Sequence, residues 1–373
     1  MKSTKFTDYR AGWVLGLFLL ALLSGCATSR VDKEAGPVFY PAAPDTPRIQ
    51  FLTKISDSRD TGKPVGALTK FILGEGAVQI NAIGKPHGLA LSQGKLYLVD
   101  NRPDRILVVE LASGKFGEIG GKRRLNFVKP INLVVDTDGT KYIADTQAGK
   151  IIVLNAQDQP IRSFGKPEDM KPSDMVVSGD LLFVADIKDH EIEVFNKKTG
   201  KLVYKIGKNG KGEGEFVFPT NLALDTAGNL YVADTGNFRV QKLTPQGKLL
   251  KVFGGLGDQP GYFHRPKGIA VDRQGRLYVV DATFQNIQIF DDQGRLLLYF
   301  GGRGYGPGDL NLPVKVIIDY DHISYFKKYA APGFELEYLI LVTSQFGPNK
   351  INIYGFGHPS GNEAGAEKTA RSR

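Results

Sequence analysis

A proline returns along this chain at Pro86, Pro130, Pro172, Pro219, Pro266 and Pro313, at intervals of 44, 42, 47, 47 and 47 residues. The first five open segments of one design. FPTNLALDTAGNLYVADTGNFRVQKLTPQGKLLKVFG, from Phe218, and RPKGIAVDRQGRLYVVDATFQNIQIFDDQGRLLLYFG, from Arg265, match residue for residue in pattern. Each segment holds four short apolar runs separated by turns rich in Gly, Asn, Asp and Pro. Runs this short make marginal helices, and their β-branched and aromatic content suits strands. The 45 glycines and 20 prolines supply the many turns that such strands need.

Four strands per unit at a period in the forties predict the blades of a β-propeller. The first two runs of each unit are apolar nearly throughout, as expected of strands covered on both faces. The fourth carries Lys and Arg, as expected of an outer edge. A sixth unit begins LPVKVIIDY at Leu312 and continues with YLILVTS and KINIYGF, which is one strand short. RIQFLTKI at residues 48–55 is a strand-like run with no blade of its own. We expect it to complete the last blade, because closure removes exposed sheet edges. The expected architecture is therefore an all-β, six-bladed propeller over residues 48–357, followed by a disordered polar tail at 358–373. Residues 321–337 read as an insertion in blade six, and 62–84 as a lead into blade one with one helical turn.

The pattern P-x-G-[IL]-A-[VL]-D…G-x-[LI]-Y-V-[AV]-D…[RN]-[VI]-Q…G resembles the NHL repeat over roughly residues 85–357, most closely in the fourth and fifth units. The resemblance implies the same six-bladed fold. Amidating lyases of this type hold a histidine-bound zinc in the channel. The five histidines here, His87, His190, His264, His322 and His358, show no metal-ligand spacing, so that constellation does not carry over.

The chain begins MKSTKFTDYRAGWVLGLFLLALLSGC. A basic start, an apolar run and small residues have the layout of a secretory signal, here residues 1–25. Leu23-Ser24-Gly25-Cys26 resembles the bacterial lipobox, which implies cleavage before Cys26 and its lipidation. More than one acyl chain is needed for stable anchoring, and the multiply acylated cysteine of that class provides it. Ala27, where an Asp would favour the inner membrane, points to the outer membrane of the cell envelope. Residues 26–47, rich in Ala, Pro, Ser, Thr and Asp, read as a tether. Cys26 is the only cysteine, so no intramolecular disulfide forms. Removal of residues 1–25 takes away Lys2, Lys5, Arg10 and Asp8 and leaves 45 basic against 38 acidic residues, a modest +7. That excess falls short of a nucleic-acid signature, and no nucleic-acid partner is expected.

One acid recurs at the end of each second strand: Asp100, Asp145, Asp186, Asp234 and Asp281, with Ser344 in the sixth unit. Asp accepts hydrogen bonds from backbone N–H groups one to three residues ahead, so these read as turn pegs and not as reactive groups. Function is better sought where the copies differ. Just after each proline stand His87, Asn132, Asp174, Asn221, Lys267 and Lys315, expected to ring the channel mouth. Lys122, Arg123, Arg124 and Lys129 form a basic loop on the same face, suited to phosphate, an acidic glycan or an acidic protein. Phe127, Phe216, Phe263 and Tyr305 recur before the prolines and read as packing between blades.

The expected function is that of a lipid-anchored envelope module binding a protein, a carbohydrate or a small ligand at the mouth. The alternative is a hydrolase or lyase of the lactonase or amidating-lyase type, with Ca²⁺ held in the channel by oxygens of Asn132, Asp174 and Asn221. No cofactor is otherwise indicated. Replacement of Cys26 by Ser should shift the protein from the membrane to the soluble fraction of fractionated cells. Unchanged fractionation would contradict lipidation.

Overall fold

The computed structural model describes residues 36–61, 80–120, 125 and 127–360. Cys26, the signal and most of the tether lie outside them, as do residues 62–79 and 361–373. Among the described residues no helix is long and apolar enough to cross a membrane.

Six antiparallel sheets follow one another along the chain. Their inner strands, Pro86–Ser92, Pro130–Val135, Pro172–Ser178, Pro219–Leu224, Pro266–Val271 and Pro313–Asp319, all start on the recurring proline. Each neighbours the next in sequence order, and the sixth returns to the first, so the sheets form a closed ring. The protein is an all-β, six-bladed propeller.

The core is divided among the junctions. Six hydrophobic clusters are each built from two successive blades. Tyr231, Tyr278, Phe253 and Phe290 are fully buried in them, which is why runs in the first three strands are apolar on both faces. Phe216 and Phe263 are also fully buried, while Phe127 is half-buried against blades one and two. The fourth aromatic in that series is different: Tyr305 is 75% exposed, and Leu310 fills the equivalent place at 0%. The isolated bridges Asn209–Phe216, Leu256–Phe263 and Arg303–Leu310 establish the equivalence. These side chains explain the glycine that ends each blade. Gly207 has φ +79°, and a Cβ there would lie 2.3 Å from the Phe216 ring.

Ring closure follows the expected route. The strand Ile49–Ile55 pairs antiparallel with Ile351–Pro359 and completes blade six. Ile49, Leu52 and Ile55 are buried in the flanking clusters. Two details go beyond the expectation. Phe39–Tyr40, placed in the tether by composition, pairs with Ile49 and Gln50 as a fifth strand. The insertion is partly strand, because the second strand of blade six runs over Phe334–Ser344. A short helix at Ile323–Phe326 precedes it. Its neighbour His322 accepts a hydrogen bond from Gly94 N of blade one at 2.9 Å, with Asp319 on the other ring nitrogen at 2.8 Å. Likewise the polar end at His358 still belongs to the last strand, which stops at Pro359.

Each buried aliphatic side chain of the closing strand contributes about 1.5–3 kcal/mol, against a total stability of roughly 5–15 kcal/mol. Deletion of residues 37–55 should therefore lower the melting temperature by at least ~15 °C or abolish cooperative melting. A melt within a few degrees of the intact chain would show that closure contributes little.

Candidate functional site at the channel mouth

The mouth is built by the pegs. In register, each opening proline faces its peg: Pro86 faces Asp100, Pro130 Asp145, Pro172 Asp186, Pro219 Asp234, Pro266 Asp281 and Pro313 Ser344. Proline has no N–H, so the residues just before it supply the donors. Val128 N and Lys129 N donate to Asp145 at 2.7 and 2.8 Å. His264 N and Arg265 N donate to Asp281 at 2.7 and 3.1 Å, and Gly84 N and Lys85 N to Asp100 at 3.0 and 2.7 Å. Donors two or three residues ahead, such as Thr283 N and Phe284 N on Asp281, complete the set. The carboxylates are buried and act as staples as well as turn pegs: they tie the interblade loop to the end of the second strand. In blade six, Ser344 Oγ accepts one longer bond from Asn311 N, 3.3 Å.

Held this way, the second residue after each proline forms a buried ring of Gly88, Asn132, Asp174, Asn221, Gly268 and Lys315. Three of these converge. Asp174 Oδ2 accepts from Asn221 Nδ2 at 3.1 Å, from Leu222 N at 3.0 Å and from Lys315 Nζ at 2.7 Å. Blades three and six stand opposite one another in a ring of six, so Lys315 reaches across the axis to Asp174. Their side chains are 9% and 1% exposed. Gly268 makes room, because a Cβ there would lie 2.6 Å from Lys315 Cα. Gly88 does the same for Asn132, whose Oδ1 would be 2.4 Å away. Asn132 turns Oδ1 back onto Leu133 N at 3.1 Å and does not join the knot. Its Nδ2 and Asp174 Oδ1 are buried without a partner.

One residue closer to the mouth lie His87 and Lys267, both half-buried. Burial of the imidazole, reinforced by the positive charges of Lys267, Lys315 and Lys85, pushes the His87 pKa down to about 3. His87 is thus neutral at physiological pH, and its buried Nδ1 has no partner. Burial, with Arg265 nearby, lowers the Lys267 ammonium to about 8. No carboxylate offsets that shift. Lys85 Nζ lies 5.6 Å from the Phe346 ring centroid. Lys85 and Arg265, which the pattern of post-proline residues does not contain, stand immediately before the same prolines.

Of the basic loop, Lys122, Arg123 and Arg124 lie outside the described residues. Lys129 Nζ pairs with Asp104 at 3.1 Å. The mouth face also carries exposed apolar side chains on its loops: Val128, Phe218, Leu256, Tyr262, Tyr305 and Phe346. Phe218 is held outward by a left-handed backbone, φ +52°, with its N–H on His190 Nδ1 at 2.9 Å.

The ring fits a bound cation poorly. Asp174 is the only carboxylate among the three oxygen donors proposed for Ca²⁺, and an ammonium already occupies one of its oxygens. Asn132 turns its oxygen onto its own strand. Among the described residues no group of three His, Cys, Asp or Glu side chains is placed to hold a metal. The local excess of cations favours an anion.

A second space was not expected from sequence. The continuation of the six inner strands lines an axial cavity of about 300 Å³, with walls that include Leu89, Ala90, Met175, Val176, Leu222 and Ile269. Its charged lining residues are Lys315 and Asp319. The apolar residues of the inner strands pack alternately into the clusters on either side, as Leu89 and Ala90 do in blade one and Ile269 and Ala270 in blade five, so these strands are covered on both faces as expected.

A family model described as "6-bladed beta-propeller" matches residues 170–242. Among solved structures, virginiamycin B lyase from Staphylococcus aureus aligns with TM-score 0.51 at 16% identity, covering 74% of this chain and 86% of that one. A protein of unknown function from Bacteroides thetaiotaomicron aligns with TM-score 0.55 at 16% identity, covering 83% and 75%. A gluconolactonase from Xanthomonas campestris aligns with TM-score 0.55 at 15% identity, covering 86% and 98%. At these identities the likeness is one of fold.

Removing one partner of a buried ion pair strands the other charge and costs about 3–5 kcal/mol. Lys315→Met should destabilise the protein by that amount in urea unfolding, and the double variant Lys315→Met/Asp174→Asn should recover most of it. If the single variant unfolds like wild type, the cross-axis pair does not form.

Proposed function

We propose that the protein is a lipid-anchored cell-envelope lipoprotein whose propeller binds an acidic protein or ligand at the channel mouth. The observation that carries this reading is the composition of one face. Lys85 and Lys267 lie near a neutral His87, and Arg265 near Lys267, with Phe218, Leu256, Tyr262, Tyr305 and Phe346 exposed on the same side. Exposed aromatics beside cations are the usual make-up of a recognition surface, since the rings bring contact area and the charges bring selection. Anchoring rests on the lipobox-like LSGC ending at Cys26. The rigid ring holds the loops, and variation among them sets the partner.

The charge of Lys267 gives a pH test. Below its pKa of about 8 the ammonium attracts an acidic partner, and above that the attraction fades. Crosslinking in cells followed by capture should recover a reproducible envelope partner. Lys267→Glu and Phe346→Ser should each reduce recovery severalfold without changing the melt, and binding in vitro should weaken as pH rises through 8. Full recovery by both variants would refute the mouth as the binding face.

A further inference from the structure

We infer that the insertion in blade six is a foot that rests on anionic lipid headgroups through Lys327 and Lys328, and so turns the channel mouth away from the membrane. The inference rests on lipid anchoring at Cys26. In the other five blades only two to five residues join the inner strand to the second, such as 93–94 in blade one and 272–276 in blade five. In blade six fourteen residues, 320–333, make that connection. The inner strand Pro313–Asp319 starts at the mouth, so the insertion leaves from the opposite face. It crosses beneath the blade from axis to rim. Near the axis His322 accepts the Gly94 N–H, and farther out Phe326 is buried between blades six and one. At the rim Tyr329 O accepts from Gln50 Nε2 at 3.1 Å, and Ala331 N donates to Gln50 Oε1 at 2.9 Å. Gln50 belongs to the closing strand and faces Phe39 in register, and the Phe39 ring meets that of Phe334 at 5.3 Å. The insertion is therefore fixed at both ends.

Its outer turn, Lys327–Tyr329, is exposed. Neither lysine is paired with a carboxylate among the described residues, and Lys328 Nζ lies 4.9 Å from the Tyr329 ring centroid. The one acid of the insertion, Asp321, is at the axial end. On the strand that follows, Glu337 pairs with Arg48 at 3.5 Å and Glu335 lies 3.8 Å from His358. The anchored chain enters the fold at this same rim. Ten residue steps separate Cys26 from Gly36, a reach of at most about 36 Å. The blade joined to the anchor is thus the blade that carries the insertion. Lysines beside a tyrosine suit a lipid interface, because ammonium groups meet phosphates while the ring lies at headgroup level. Near an anionic surface each lysine strengthens the contact about fivefold.

The test uses the full chain, purified from membranes and reconstituted into vesicles of phosphatidylcholine and phosphatidylglycerol that carry a headgroup-bound quencher. Cys26 is the only cysteine and a lipidated sulfur takes no thiol dye, so added cysteines are labelled alone. A dye on Ser324→Cys reports the insertion, and a dye on Tyr305→Cys reports the mouth; both positions are exposed. Two lysines favour the foot-down orientation about 25-fold, so the insertion dye should be quenched several times more than the mouth dye. Adding Lys327→Glu/Lys328→Glu, checked for an unchanged melt, should abolish the difference, as should vesicles of phosphatidylcholine alone or salt at about 1 M. Equal quenching of the two dyes, stronger quenching at the mouth, or a difference that survives charge reversal overturns the foot and leaves the anchor standing. Uptake of dye by the parent chain at Cys26 overturns the anchor, and the foot falls with it.

Discussion

The buried carboxylate facing the opening proline in five of the six blades is the interaction on which this structure depends. A propeller blade must turn the chain from the outer strand of one sheet to the inner strand of the next. That loop carries backbone donors into the interior, where unpaired N–H groups are costly. Proline removes one donor and fixes the direction of the strand. The aspartate at the end of the second strand accepts donors from just before the proline, two in blades one, two and five, as Asp281 does for His264 N and Arg265 N, and one in blades three and four. One side chain therefore sets where each inner strand begins. Since the mouth residues lie one and two positions later, the same staple sets the height of His87, Lys267 and Asp174 in the channel, while Lys315 follows Pro313, where Ser344 takes the place of the aspartate. Structural repetition and functional variation are thus one residue apart.

Much of the fold was legible because its constraints are local and repeat. Strand number, blade number and the peg positions follow from spacing, and the unpaired run at 48–55 had only one sheet with a place left for it. The role of the pegs was half legible. Donors two or three residues ahead are a local property of Asp, but the other bonds reach back 15 to 17 residues, as from Lys129 N to Asp145. Phase errors came where a loop changes length. Tyr305 looked like the counterpart of Phe263, yet Leu310 fills that place, and the tyrosine is left in solvent. Phe39–Tyr40 escaped notice because two residues carry no period.

The candidate site was legible as a set of positions and illegible as an arrangement. Asn132, Asp174 and Asn221 come from successive blades, which suggested convergence on a cation. The decisive partner is Lys315, 141 residues away from Asp174 and on the opposite side of the ring. Nothing in either local sequence announces the pair, because it arises from closure of the ring. Gly268 supports it by having no side chain, a signal visible only once Lys315 is known to pass that way.

The Lys315–Asp174 pair also decides how the channel is divided. An apolar plug would separate the two ends equally well, and at comparable or lower energetic cost. An ion pair does something an apolar plug does not. It leaves ammonium donors and one carboxylate oxygen available at the boundary, so each compartment ends on a polar group of known sign. On the mouth side that boundary sits beneath Lys267 and a neutral His87, and on the other side it borders the axial cavity. His87 remains neutral because burial and three lysines oppose its protonation, so only extreme acid adds a further charge there. Lys267 is the group that titrates near physiological conditions, and it does so at the open end. The axis therefore runs from a pH-responsive cationic mouth, through a fixed charge pair, to a cavity lined by the six inner strands. That order arises from post-proline residues, whose places are set where each inner strand begins.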